Sequence, residues 1–317
     1  MVISDWKDEL NKKKVIVSVF LDLKRAFETL DRNILLKNIK LFADDALLTV
    51  SDCNKNVALD KIQEDLDSLY IWLCGNKLKL NVQKTKYMII TRNCISDEGV
   101  KLKINNEEIE EVNIIKYLGI QIDNKLKFNE HITYIANKIS KKIGFMQRTC
   151  KYIRKDLKIQ VYKSIIEPHF IYCPSVLFII VDSQIDKLQK LQNRVMRFIL
   201  RKRRGAHTNE MLNLLDWLSI KQTIFYHTMK FIFNIKHGLL PNYLRNNFTY
   251  VNEVHSIETR NGNDFRLPRF RTEADKRNLC YNGLKCFNEL PDDIKKCENI
   301  NLFKSKLKTY CKTLAIR

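Results

Sequence analysis

Leu41-Phe42-Ala43-Asp44-Asp45-Ala46-Leu47-Leu48-Thr49-Val50 is the stretch whose reading decides the fold. Two adjacent carboxylates between two short, apolar, β-prone runs predict a tight hairpin with both aspartates at its tip. Aspartate also serves turns by bonding to its own backbone, so the pair alone is a common structural signal. A third aspartate upstream changes its weight. Val15-Ile16-Val17-Ser18-Val19-Phe20-Leu21-Asp22-Leu23 reads as a buried strand with one carboxylate near its end, where a charge is too costly to bury without a cation. Two strand ends carrying three aspartates make a site for two hard, oxygen-loving divalent ions.

Working outward, residues 5 to 14 predict a short polar helix leading into that strand. Lys24 to Lys37 predicts another, with Phe27, Leu30, Ile34 and Leu35 at helical spacing. At 1.5 Å per residue it spans about 21 Å, the length of a strand-to-strand crossover. After the hairpin, Leu59, Ile62, Leu66, Leu69 and Leu73 alternate steps of three and four, and Gly75 is placed to end that helix. Lys77 to Asn81 and Tyr87 to Thr91 read as strands, with Lys84 and Lys86 between them. This order is an α+β layer, one sheet backed by helices.

A second hairpin is expected from Val100–Ile104 and Glu107–Ile115, turning at Asn105-Asn106. From Phe128 the pattern becomes helical. Ile132, Ile135, Ile139, Ile143 and Met146 mark one helix. Leu157, Val161 and Ile165 mark another, stopped by Pro168; Ile185, Leu188, Leu191, Val195 and Phe198 mark a third. The division falls at residue 127, giving regions 1–127 and 128–317.

The chain has 317 residues, and lysine plus arginine number 56 against 36 acids, a net charge of +20. That excess points first to a polyanion such as nucleic acid. Arg194, Arg197 and Arg201 form a stripe that Lys202-Arg203-Arg204 continue without an acid, suited to tracking a phosphate backbone or to keeping a helix solvated. Arg266, Arg269, Arg271, Lys276 and Arg277 interleave with Phe265 and Phe270, a mixture that fits stacking on unpaired bases or an irregular basic surface. The nine cysteines show no zinc-type spacing and read as reduced, buried thiols. With no secretory leader and no apolar run long enough to span a bilayer, an intracellular, soluble protein without a membrane partner is expected.

Phe20-Leu21-Asp22-Leu23-Lys24-Arg25-Ala26-Phe27 and Phe42-Ala43-Asp44-Asp45 together resemble the reverse transcriptases of non-LTR (LINE-type, jockey-like) retrotransposons. The likeness continues through Leu78–Met88 and Tyr117-Leu118-Gly119-Ile120. It reaches Arg266-Leu267-Pro268-Arg269 and Phe287-Asn288-Glu289-Leu290-Pro291, which are similar to that family's C-terminal tail, so it covers essentially the whole chain. The resemblance implies RNA-directed DNA polymerase activity on an RNA template and a DNA primer, in a palm-like sheet followed by an all-helical thumb-like region.

By the same resemblance Asp22, Asp44 and Asp45 are the catalytic carboxylates that bind two Mg2+ ions. Phe27 lies under the incoming sugar, and Tyr117, Leu118 and Gly119 grip the primer end. Lys84 or Lys86 serves the leaving group; spacing does not choose between them, and Lys86 is the preferred match. The basic residues from Arg194 to Arg204 would hold the duplex by its backbone.

The pattern departs from the family in length. Asp22 and Asp44 stand 22 positions apart, where family members carry a much longer segment, including the motif that shapes the nucleotide and template pocket. The fingers and endonuclease that precede these motifs in the family have no counterpart in the sequence. A polymerase impaired in synthesis, or completed by a partner supplying fingers, is therefore expected. The alternative expectation is a catalytically inactive nucleic-acid-binding remnant of a mobile element.

Overall fold

The computed structural model describes residues 2–24, 39–42, 45–76, 78–92, 101–241, 244, 248–253, 264–270, 272 and 276–314, the side chains of residues 23, 24 and 41 excepted. The helix expected over Lys24 to Lys37 lies outside the described residues beyond its first position. So do Phe27, Ala43, Asp44 and Arg271. The chain divides into two units, one of Val2 and Ser4–His131, the other comprising Ile132–Arg317.

The first unit is built on β1 (Val15–Lys24), which is apolar on both faces because both are covered. Antiparallel neighbours flank it: β3 (Asp45–Asp52) on one side and β5 (Lys86–Ile90) on the other. β2 (Ile39–Phe42) pairs antiparallel with β3, the short β4 (Lys79–Leu80) pairs with the end of β1, and β8 (Glu110–Glu111) pairs parallel with β5. The sheet is thus mixed, in the order β2-β3-β1-β5-β8.

Side chains alternate between two faces. Val17, Val19 and Leu21 of β1, Ala46, Leu48 and Val50 of β3, and Tyr87 and Ile89 of β5 form one buried cluster with Leu59, Ile62, Leu66, Leu69 and Leu73 of α2 (Lys55–Gly75). The leucine stripe read from sequence is the stripe that packs. Asn54 caps the helix by accepting the Asn56 N–H at 2.9 Å, and each buried leucine contributes roughly 1.5–3 kcal/mol. The opposite face carries Ile16, Ser18, Phe20 and Asp22. Here α1 (Val2–Asn11) brings Trp6 edge-on to Phe20, ring centroids 6.5 Å apart.

Two further hairpins follow. β6 (Lys103–Ile104) and β7 (Glu107–Glu108) turn through Asn105 and Asn106, with φ of 49° and 65°. Two positive φ values are what a two-residue turn matching strand twist demands, and asparagine tolerates them. β9 (Ile114–Tyr117) and β10 (Ile120–Asp123) turn through Leu118 and Gly119, at 46° and 79°.

Among the described residues the second unit is mostly helical, as expected, with one isolated antiparallel bridge between Tyr250 and Phe265. α3 (Asn129–Thr149) carries the predicted buried stripe from Ile132 to Met146. In α4 (Lys155–Ile165) the buried residues are Lys158 and Tyr162, while Leu157 is exposed. Lys158 lays its stem inward, with its ammonium over the Phe198 ring. α4 ends at Ile165, ahead of Pro168 as expected, and Pro168 sits in the first turn of the next helix, α5 (Glu167–Ile171), where its missing N–H costs nothing. Beyond α6 (Pro174–Leu177), α7 (Asp182–Leu200) and α8 (Thr208–Leu215), α9 (Ile220–Lys236) runs through a core centred on Phe233. A π-helical turn (Leu279–Gly283) leads into α10 (Leu284–Asn288), then α11 (Asp292–Lys295) and α12 (Ile300–Thr313), whose Phe303 stacks on Phe233 at 4.1 Å.

No helix among the described residues is long and apolar enough to cross a membrane. Cys53 and Cys74 are exposed, unlike the uniformly buried thiols expected.

Candidate active site

The register of β1 against β3 places Asp22 directly opposite Asp45. Residues opposed in an antiparallel pair share a face, with Cβ atoms about 5 Å apart, and like charges so placed repel. Phe42 lies opposite Asp45 across the hairpin, so Asp45 opens β3 rather than sitting in the connecting turn. Asp44 lies outside the described residues. Among the described residues no group of three His, Cys, Asp or Glu side chains clusters as a metal cage; Asp22 and Asp45 contribute two hard oxygen donors.

Asp22 is held from a neighbouring turn. The Asn81 backbone N–H donates to the Asp22 carbonyl at 3.1 Å, and its side-chain amide donates to Asp22 Oδ2 at 3.3 Å. The Asn81 carbonyl in turn accepts the N–H groups of Lys84 and Thr85 and the Thr85 hydroxyl, at 3.1, 3.0 and 2.9 Å. That turn brings Lys84 Nζ to 3.5 Å from Asp22 Oδ2. Both partners are solvent-accessible, so the pair contributes at most about 1 kcal/mol; its importance is where it puts a positive charge. Lys86 stands opposite Phe20 on the same face but pairs with Glu110 at 2.8 Å.

Tyr117 closes the other side. Its ring meets Phe20 edge-on at 5.3 Å, giving an aromatic series Trp6–Phe20–Tyr117 beside the carboxylates. Burial, reinforced by the Asp45 charge, pushes the Tyr117 hydroxyl up to about 12, so it stays protonated. Leu118 follows in the left-handed region, strained for a residue with a Cβ.

The chemistry available is that of paired oxygen ligands. Two opposed carboxylates with a cation at the rim suit a divalent ion, and the donor set fits magnesium. Sequence reasoning missed Asn81, whose signal was only its turn preference, and Trp6, whose role depends on the fold.

In the second unit, Arg194 and Arg197 lie on α7 and Arg201 caps it with φ 53°. Arg194 donates to Gln147 Oε1 at 3.0 Å. Arg203 and Arg204 are exposed. Lys202 pairs with Glu210 at 2.9 Å, so the run is not free of acid in space. Phe265, which the sequence left open between base stacking and an irregular basic surface, is buried, stacked on Tyr250 at 5.0 Å and edge-on to Phe287.

No family model matches this chain. It is similar to the RNA-directed DNA polymerase from the mobile element jockey of Drosophila melanogaster, 30% identical over 164 residues, which are 51% of this chain and 18% of that protein. The corresponding protein of Drosophila funebris is 32% identical over 166 residues, again 51% and 18%. A probable RNA-directed DNA polymerase from transposon BS of Drosophila melanogaster is 28% identical over 197 residues, 60% of this chain and 21% of that protein. The chain thus spans about a fifth of the length of the curated relatives it matches. These relatives are polymerases of non-LTR mobile elements, the group that the motifs at Asp22 and Asp44-Asp45 resemble.

Proposed function

We propose that this chain is the palm-like and thumb-like part of a non-LTR retrotransposon reverse transcriptase, palm-like over 1–127 and thumb-like over 128–317. The observation that carries the reading is the opposition of Asp22 and Asp45 on one face of the sheet. Asp22 and Asp45, completed by Asp44, would hold two Mg2+ ions. When bound, these supply Lewis-acid activation of a primer 3′-hydroxyl and neutralise charge on the departing pyrophosphate.

The chain's own groups do the rest. Asn81 fixes the Asp22 carboxylate, so that little reorganisation is needed when a ligand arrives. Lys84, with its ammonium 3.5 Å from Asp22, is the cation best placed for the leaving group, in preference to Lys86, which Glu110 engages. Tyr117, Leu118 and Gly119 present a rigid turn to the primer end, and Phe27 would lie under the incoming sugar. The basic group from Arg194 to Arg204 would hold the template–primer duplex by its phosphates.

The 22-position interval between Asp22 and Asp44 favours a second reading, a catalytically inactive remnant of a mobile element that retains nucleic-acid affinity. Primer extension on poly(rA)·oligo(dT) with Mg2+ separates the two. Extension that disappears in Asp22→Asn supports the polymerase. Extension unchanged in that variant overturns it, and absent extension with salt-sensitive RNA binding favours the remnant.

A further inference from the structure

Asn288 holds the backbone of Phe265 at both ends of its amide. Its Oδ1 accepts the Phe265 N–H at 3.0 Å, and its Nδ2 donates to the Phe265 carbonyl at 2.8 Å. The next N–H, of Arg266, donates to the Thr249 carbonyl at 2.9 Å. With Phe265 buried under Tyr250, Phe248 and Phe287, this fixes the start of the Arg266-Leu267-Pro268-Arg269 segment against α10. The segment walls a cleft of about 750 Å3 whose other lining includes Phe248, Cys280 and Leu284.

Arg266 and Arg269 both line this cleft and are exposed. Among the described residues neither guanidinium has a carboxylate partner. Two guanidinium groups lining one cleft, on a chain of net charge +20, suit an anion, and their planar fork matches a phosphate. The floor is apolar, formed by Phe248 and Leu284 with Pro268 between the two arginines. An inorganic anion would use the rim and leave that floor wet. A nucleotide uses both, and the volume suits a small organic ligand. A base can reach such a floor only from an unpaired strand.

We infer that the Arg266–Arg269 cleft is a binding subsite for one unpaired nucleotide, with phosphate on the two arginines and base against Phe248 and Leu284. Its choice of ligand rests on the nucleic-acid reading above; its geometry does not. Asn288 is then a positioning residue, which explains why the Phe287-Asn288-Glu289-Leu290-Pro291 and Arg266-Leu267-Pro268-Arg269 motifs lie together.

The test uses the full chain with fluorescein-labelled rU12, dT12 and a duplex of equal length, by anisotropy across a KCl series. Arg266→Ala/Arg269→Ala should weaken rU12 or dT12 at least tenfold and lower the salt slope by about 0.7, the share of the one phosphate that both arginines hold; the stronger of the two oligonucleotides identifies the sugar. On the wild type, saturating oligonucleotide should slow alkylation of Cys280 but not of the exposed Cys53 and Cys74, a readout that needs no variant. Unchanged affinity in the double variant, or unprotected Cys280 at saturation, overturns the subsite. Manganese binding at the aspartates together with arginine-insensitive RNA binding would sink this inference alone. Absent manganese binding with Cys280 protected would sink the polymerase reading alone.

Discussion

Lys84 Nζ lies 3.5 Å from Asp22 Oδ2, while Lys86, two residues on, is spent on Glu110 at 2.8 Å. The turn at Asn81 makes the difference by bringing Lys84 to Asp22 at the end of β1. Lys84→Ala should therefore tighten divalent-ion binding about two- to threefold, since a competing cation worth at most about 1 kcal/mol is removed. Any primer extension should fall in the same variant. Lys86→Ala should change neither, and titration calorimetry beside an extension assay reads both.

Tyr117 gives an alkaline prediction. Burial first, then the Asp45 charge, raises its hydroxyl to about 12, above the unfolded value of 10.0. The neutral form is favoured in the fold, so its contribution is complete below pH 10 and is lost as pH rises towards 12. Asp45→Asn should lower the phenol's titration only part of the way, because burial remains. Absorbance at about 295 nm, compared with Tyr117→Phe, isolates the group.

Acid stability should fail in two stages. Burial lowers His131 to about 4; its Nδ1 accepts the Gln121 N–H at 3.3 Å and its Nε2 is buried. The fold therefore favours neutral imidazole, with stability present above pH 6.5 and lost as pH falls towards 4. Glu9 follows. Burial would raise its carboxyl, but hydrogen bonds from Lys12, Lys14 and Ser51, each 2.7 Å, hold it at about 2. Its share is present above pH 4.5 and lost towards pH 2. Glu9→Gln should cost about 1–2 kcal/mol at pH 7 and flatten the lower stage, read by urea unfolding across pH.

Packing around the tail motif should be unforgiving. A Cβ on Gly283 would sit 2.9 Å from Leu279 Cδ1 and 3.3 Å from Ile232 Cδ1, so Gly283→Ala should destabilise by about 1–3 kcal/mol despite better helix propensity. Asn288→Ala leaves a buried donor and acceptor of Phe265 unmet, at about 1–3 kcal/mol. Thermal unfolding of both variants checks the pair.

Periodicity made the sheet legible. The run from Val15 to Asp22 and the stripe from Leu59 to Leu73 appear as β1 and the buried face of α2, because burial there follows the apolar side chains, with Ser18 buried among them. Asn105-Asn106 was readable because its turn chemistry is local. In α4 apolarity misled: Leu157 is exposed, and Lys158 and Tyr162 go inward, since long amphipathic side chains bury their stems. Phe265 reads as a surface aromatic among arginines, yet Tyr250 and Phe287 enclose it, from positions 15 before it and 22 beyond. The choice between Lys84 and Lys86 could not be made from spacing, because Glu110 reaches Lys86 only through the parallel pairing of β8 with β5.

Calorimetric titration of Mn2+ into the full chain, beside Asp22→Asn and Asp45→Asn, bears most directly on the site. Saturable binding by the wild type that weakens at least tenfold in each variant is the predicted result. Curves that coincide for all three proteins would contradict a divalent-ion cradle between β1 and β3.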